Sequence, residues 1–358
     1  MKRIAAALLC LALCGYLCGC SNLFDGHYKS VTPHDNPNQE TENQAVSARN
    51  YTQLYDAVIS FVEQGRTEGV IGVSDYTAGL LQLDMERIVS EICRINPVAA
   101  YAVENIRYEQ GKSAGKMVVN LEITYTRDPS QLRDIQTVSG MEEAAAKVRL
   151  ALDKILTGLV LRVKQYEAVD FVEIVSRYAM ECPQFVMEQP QITVKTYPEN
   201  GSDRVVELRF TYQTGRDSLR SMRSQVEPVF ESALLYVSGD GLAAEKYAQL
   251  YSFLMERYDY QIVSSITPAY SLLRHGVGDS KAFACVYAAM CRQAGLECTV
   301  VSGTCDGESR YWTIIEQDGV YFHVDLLAGK FRKRSDHQMA GYVWDYSAYP
   351  PCGVLPAE

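Results

Sequence analysis

Two stretches of this chain repeat each other, and that constrains its fold more than any other feature. Met117-Val118-Val119-Asn120-Leu121-Glu122-Ile123-Thr124-Tyr125 lines up with Arg204-Val205-Val206-Glu207-Leu208-Arg209-Phe210-Thr211-Tyr212 at an offset of 87. Upstream, Arg87-Ile88-Val89-Ser90 through Pro97 lines up with Glu173-Ile174-Val175-Ser176 through Pro183 at an offset of 86, and Leu132-Arg133 matches Leu219-Arg220 again at 87. Three blocks in register imply a duplicated unit. Each copy reads helix, strand, turn, strand, helix. The first helix ends before its proline, where a helix is hard to continue. The first strands are expected at Glu104–Tyr108 and Gln191–Tyr197, followed by the turns Gly111–Gly115 and Glu199–Asp203. The matched nonapeptides supply the second strands, because β-branched and aromatic residues suit a pleated surface. Neither copy carries a titratable cluster with catalytic spacing, so both read as spacer or binding modules.

Size allows more than these two modules. At 358 residues the chain has room for two or three domains. Its 47% apolar and 22% charged content supports buried cores and excludes a disordered, collagenous or polytopic membrane chain. The formal charge is −10, and it becomes −12 without residues 1–19, which hold Lys2, Arg3 and no acid. So acidic a chain is ill suited to nucleic acid, whose phosphate backbone demands cations.

The N-terminus addresses location. Lys2 and Arg3 precede the apolar run Ile4–Leu13, too short for a membrane span but matching the two leading regions of a secretory signal. The run leads into Leu17-Cys18-Gly19-Cys20, which resembles the lipobox of bacterial lipoproteins. That resemblance implies cleavage before Cys20, lipidation of Cys20, and a mature protein held extracytoplasmically at a bacterial membrane by its acyl chains. Residues 21–50 are polar and read as a tether. Seven cysteines lie beyond residue 20, an odd number, and only Cys298, Cys305 and Cys352 suggest a disulfide. No Cys/His spacing points to a metal.

From about residue 240 the pattern changes. Ala243, Tyr247, Leu250, Leu254 and Tyr258 recur at helical spacing. His275-Gly276-Val277-Gly278-Asp279-Ser280 then opens a dense apolar helix, Ala282–Ala294, closed by Gly295. Strands are expected at Cys298–Ser302, Tyr311–Glu316 and Val320–Val324, the last two joined at Asp318-Gly319.

This order, over about residues 240–352, resembles the transglutaminase-like superfamily, related to papain-like cysteine proteases. There a Gly-x-Gly-Asp-Cys element opens the central helix, a His-Ala-Trp-Asn strand follows, and an aromatic strand ends in Asp. Here the blocks read Gly276-Val277-Gly278-Asp279-Ser280, Arg310-Tyr311-Trp312-Thr313 and Val320-Tyr321-Phe322-His323-Val324-Asp325. The resemblance places the triad at Ser280, Arg310 and Asp325, a degenerate set. The family chemistry needs a thiolate and an imidazole base. Serine is far less acidic than a thiol, and a guanidinium stays protonated and cannot act as a base.

Could another histidine rebuild the site? His27 and His34 fall in the tether, His275 precedes the glycine turn, and His337 is in the tail. His323 shares a strand face with Asp325, which leaves a Ser280–His323 arrangement open. Cys285 is more than a helical turn from the start of its helix.

The expected architecture is α+β: two repeated helix-strand-strand-helix modules followed by a transglutaminase-like domain. The segments are a signal peptide (1–19), the lipidated Cys20 with its tether (20–50), modules at 51–150 and 151–238, and the C-terminal domain (239–358). The reading is a catalytically inactive, membrane-anchored lipoprotein of the cell envelope. It needs no cofactor and binds a peptide, protein or cell-wall ligand in the inherited cleft, with Trp312 as a binding residue. Two readings stay open beside it: an active hydrolase or acyltransferase using Ser280 with an unassigned base, and a structural surface assembly protein.

Overall fold

A computed structural model describes residues 46–353, apart from 238 and 263. The signal, Cys20 and the first part of the tether lie outside the described residues. Among the described residues no helix is long and apolar enough to cross a membrane.

The first module begins with α1 (Tyr51–Glu63), β1 (Glu68–Gly72) and α2 (Ala78–Ile95). Asn50 caps α1 and Thr77 caps α2, each side chain accepting a backbone N–H that the first turn leaves free. Asn96 ends α2 and caps the short α3 (Pro97–Ala102), with Pro97 at the tolerated first position. The chain then forms β2 (Val103–Ser113) and β3 (Lys116–Tyr125). The first strand is longer than the expected Glu104–Tyr108. A two-residue turn at Ala114 and Gly115, both at positive φ, lets the ladder pair through Ser113 and Lys116. The long strands run β1-β3-β2, and Leu54, Val58, Phe61, Ile71, Leu81, Met85, Ile88, Ile92, Leu121 and Ile123 are buried.

The second module starts earlier than expected. After a short turn come β4 (Gln136–Gly140), α4 (Met141–Asp153), β5 (Gly158–Gln165) and α5 (Phe171–Glu181). β6 (Gln191–Tyr197) and β7 (Arg204–Thr211) complete a sheet of order β4-β5-β7-β6. The expected boundary at 150/151 cuts α4. Its Ala144, Val148, Ala151 and Leu152 share one core with Val138, Leu161, Val163, Val206 and Leu208. Module 1 therefore has no closing helix of its own. Ile123 N–H donates to Thr67 O at 2.7 Å in the first sheet, and Phe210 N–H to Thr157 O at 3.0 Å in the second.

Between the modules lies a pair of arginine bridges. Arg127 sits over the Tyr101 ring at 4.0 Å and donates to Glu207 Oε2 at 2.9 Å. Arg162 donates to Glu63 at 2.7 Å and to both oxygens of Asp203. The Arg162–Asp203 contact is a fork, the geometry in which arginine orients a carboxylate best.

The expected closing helix of module 2, α6 (Arg216–Tyr236), belongs to the C-terminal body instead. Its Leu219, Val226, Phe230 and Ala233 enter the core built by α7 (Ala243–Met255), α8 (Pro268–His275) and α9 (Ser280–Gln293). The boundary near 238 is thus a loop within one packed unit. Eleven of the fourteen residues of α9 are buried. Against it lies a sheet of β8 (Cys298–Cys305), β9 (Glu308–Gln317), β10 (Val320–Val324) and β11 (Tyr342–Trp344), ordered β10-β9-β8-β11. Asp318 and Gly319 take positive φ and turn β9 into β10. β11 was not expected. It approaches β8 because Gly303 has no Cβ, which would fall 2.3 Å from Val343 O. The seven cysteines from Cys93 to Cys352 are free thiols, so the disulfide considered among Cys298, Cys305 and Cys352 is not formed.

Candidate functional site

The site is set by the turn before α9. Gly276 closes α8 in the left-handed region, and Val277-Gly278 pairs in parallel with Asp259-Tyr260. Gly278 is needed there, since a Cβ would stand 2.9 Å from Ala282 Cβ. Asp279 is the N-cap of α9, its Oδ1 accepting from Ala282 N–H at 2.9 Å. Ser280 is therefore the first helical residue. It is buried, and its Oγ accepts from Tyr311 N–H on β9 at 3.2 Å.

Next to Tyr311, Arg310 reaches Asp325 at the end of β10. Nε donates to Oδ2 at 3.0 Å, and Nη2 to Oδ1 at 3.0 Å and Oδ2 at 2.8 Å. The Asp325 side chain is 0% exposed and that of Arg310 17%. Asp325 also accepts from Tyr342 O–H at 2.5 Å and from Leu327 N–H at 2.9 Å. Burial disfavours the Arg310 charge, but Asp325 outweighs it and holds the guanidinium above its ordinary pKa. Burial and the Asp325 bond likewise push the Tyr342 phenol up. Arg310 and Asp325 are thus paired, and Ser280 is bonded to the backbone of Tyr311, the residue next to Arg310. Tyr342 completes the group, a member that sequence reasoning missed. Tyr260 stands beside it, its ring 6.0 Å from the Arg310 guanidinium and 44% exposed.

No imidazole joins Ser280 among the described residues. His323 is fully buried, and both its nitrogens are committed: Trp312 Nε1–H donates to Nδ1 at 3.0 Å, and Nε2 meets Asp336 Oδ1 at 2.9 Å. Indole is a donor only, so Nδ1 is the lone-pair nitrogen and Nε2 carries the proton given to Asp336. Burial lowers the His323 pKa, with Asp336 pulling the other way. His275 and His337 are exposed, and His275 packs on the edge of Tyr270. The Ser280–His323 pairing left open by the sequence is absent.

Trp312 also differs from expectation. It is 0% exposed, packed against Val301, Ile314, Met339 and Trp344, and so presents no surface to a ligand. The reason is the tail, residues 335–353, which folds over its face of the sheet. Cys285 is no substitute nucleophile: burial pushes its thiol up to about 12.

One cluster resembles a metal centre, because donor atoms of His323, Asp336 and Cys352 lie within 4.8 Å of one another. Its chemistry does not fit. A metal on Nε2 would require imidazolate while Trp312 donates to Nδ1. Burial also pushes the Cys352 thiol up to about 12 and keeps it protonated. The trio is a hydrogen-bonded clamp on the tail, with Cys352 N–H donating to Asp336 Oδ2 at 3.0 Å.

Residues 236–349 match the model of the transglutaminase-like superfamily. Among solved structures, a TGase is 12% identical with a TM-score of 0.27, the match covering 50% of this chain and 54% of that one. The chain thus spans about half the length of that protein. LapG of Legionella pneumophila is 13% identical with a TM-score of 0.26, covering 37% of this chain and 74% of its own. A putative protease from Parabacteroides distasonis is 10% identical with a TM-score of 0.24, covering 72% and 39%. These likenesses concern fold alone. Comparison with curated proteins gives no match. Residues 236–349 form a transglutaminase-like domain.

Proposed function

We propose that the transglutaminase-like domain is a catalytically disarmed binding module carried by an extracytoplasmic lipoprotein. The observation that carries this reading is the Arg310–Asp325 pair. The family's mechanism asks Asp to orient an imidazole that accepts a proton from the nucleophile. Here Asp325 is saturated by Arg310, Tyr342 and Leu327, and a guanidinium accepts no proton. Ser280 keeps its place at the head of α9 without a base.

What remains is a charge-balanced Arg310–Asp325 pair with the exposed Tyr260 ring beside it. It suits an extended, uncharged peptide stretch of a protein or cell-wall ligand, held by stacking and backbone hydrogen bonds. With Trp312 buried, Tyr260 takes the contact role. The test is turnover of glutamine-containing peptides by the full chain, both amide hydrolysis and transfer to an amine. None is expected, and activity abolished in Ser280→Ala overturns the reading. Calorimetry with the same peptides should give binding that Tyr260→Ala weakens.

The lipid anchor rests on Leu17-Cys18-Gly19-Cys20. A labelled fatty acid fed to a bacterial host should enter the chain and be absent from Cys20→Ser. Label retained in that variant counts against the anchor.

A further inference from the structure

The C-terminal body separates its charges. Residues 236–349 hold thirteen acids and ten bases, and four of those bases, Lys330, Arg332, Lys333 and Arg334, fall within five residues. Without them the body would stand at −7; the loop itself stands at +4. Among the described residues none of the four makes an ion pair, and Lys330, Arg332 and Lys333 are exposed. The acids nearby are spent elsewhere: Asp325 on Arg310, Asp336 on His323, and Asp318 on the Gln317 amide.

The loop is also held in place. Phe331 packs on the Tyr251 ring at 5.6 Å between centroids. Arg334 exchanges both backbone hydrogen bonds with His323 at 2.9 Å, extending the open edge of β10. Lys333 lies over the Phe322 ring at 5.1 Å and donates to Gln317 Oε1 at 2.7 Å. The Phe331 and Arg334 contacts anchor the backbone, the Lys333 head is tied to neutral partners, and Lys330 and Arg332 are exposed.

We infer that residues 330–334 dock this domain on an anionic lipid surface. A chain of net charge −10 is repelled by such a surface unless it presents a cationic face, and residues 330–334 are the densest run of bases in the sequence. Clustered Lys and Arg at a membrane add attraction residue by residue within a Debye length. The loop would set which face of the domain lies on the bilayer, and so which way the cleft opens. The inference deepens the envelope reading but does not depend on acylation of Cys20.

The experiment partitions the full, unacylated chain onto vesicles of phosphatidylcholine with or without phosphatidylglycerol, beside the triple variant Lys330→Gln, Arg332→Gln, Lys333→Gln. The native chain should prefer anionic vesicles, and the triple variant should lose that preference by on the order of a hundred-fold. Raising salt to about 0.5 M should erase the difference. The thermal unfolding midpoint of the variant should match that of the native chain. Equal partitioning of native chain and variant overturns the proposal, as does equal binding to both vesicle types. Displacement from the vesicles by soluble polyphosphate at the same phosphate concentration would assign the loop to phosphate polymers and overturn the membrane. Failure here leaves the anchor at Cys20 standing, because the chain tested carries no acyl group.

Discussion

The β9–β10 pair carries two acid–base clusters, and they are near opposites. At one end Arg310 and Asp325 form a charged fork where the family's chemistry would need a histidine. Two residues along each strand, Trp312 and His323 meet with Asp336 behind them, and here a histidine and an aspartate do pair. The second cluster has the residues of a base and its orienter, but it faces a tryptophan under the tail, and burial pushes the one thiol beside it, Cys352, up to about 12. The first stands beside Ser280 and has no base. Residue types alone do not make a catalytic dyad; the lone pair must point at a proton that has to move.

If the Arg310 fork is the structural replacement it looks like, breaking it is the largest effect. Asp325→Ala leaves a mostly buried guanidinium without its partner and takes the acceptor from Tyr342 O–H and Leu327 N–H. A loss of about 3–5 kcal/mol is expected, read from urea unfolding. Replacing both members, Arg310→Met with Asp325→Leu, should cost clearly less, since no charge is then stranded. A single-variant loss under about 1 kcal/mol would mean the pair behaves like an exposed one, and the contrast between the clusters would fall.

How legible was this in the sequence? The helix of α9 and the β9–β10 hairpin followed from periodicity and a turn dipeptide, both local signals, and the family order named both members of the Arg310–Asp325 pair. What stayed hidden depended on distant chain. The burial of Trp312 comes from the tail, which has little regular structure and no period to read. Tyr342 reaches Asp325 from a three-residue strand too short to signal itself. The 150/151 boundary failed for a related reason: the amphipathic pattern of α4 identifies a helix, but not which of two neighbouring sheets it will cover. In α6 the same ambiguity misassigned a helix across the junction with the C-terminal body.

The second cluster gives the next effects. The chain has two tryptophans, Trp312 and Trp344, both in this cluster, so fluorescence excited beyond the tyrosine absorption band reports on it. His323→Phe removes the acceptor of a buried indole N–H and should cost about 1–3 kcal/mol, with a changed emission maximum. Protonation should act in the same direction but more weakly. The folded pKa of His323 is lowered from 6.5, chiefly by burial. Above that value folded and unfolded chains both carry it neutral, and it adds no pH dependence. Below it the unfolded chain takes the proton first, so stability falls as pH falls until the lower folded pKa is passed. The slope is at most about 1.4 kcal/mol per pH unit. His323→Phe should flatten that part of the profile; an unchanged slope would place the titration elsewhere.

The smallest effect is the one that decides how the two clusters relate. Ser280 Oγ makes one hydrogen bond, to Tyr311 N–H, at a buried position. Ser280→Ala leaves that donor unmet, or rewetted from the cleft, for about 0.5–1.5 kcal/mol. Stability alone cannot separate a structural serine from a reactive one, because both lose the same bond. The pair Ser280→Cys with Arg310→His can. It installs a thiol at the head of α9 and an imidazole where the guanidinium was, beside an Asp325 already positioned to accept an N–H. If the fork replaced a working dyad without moving the backbone, the double variant should be alkylated by iodoacetamide faster than Ser280→Cys alone, with a pH midpoint below that of an ordinary thiol. Equal rates would mean that the strands have shifted with the loss of chemistry, and that the Arg310 cluster is as remote from catalysis as the one around His323.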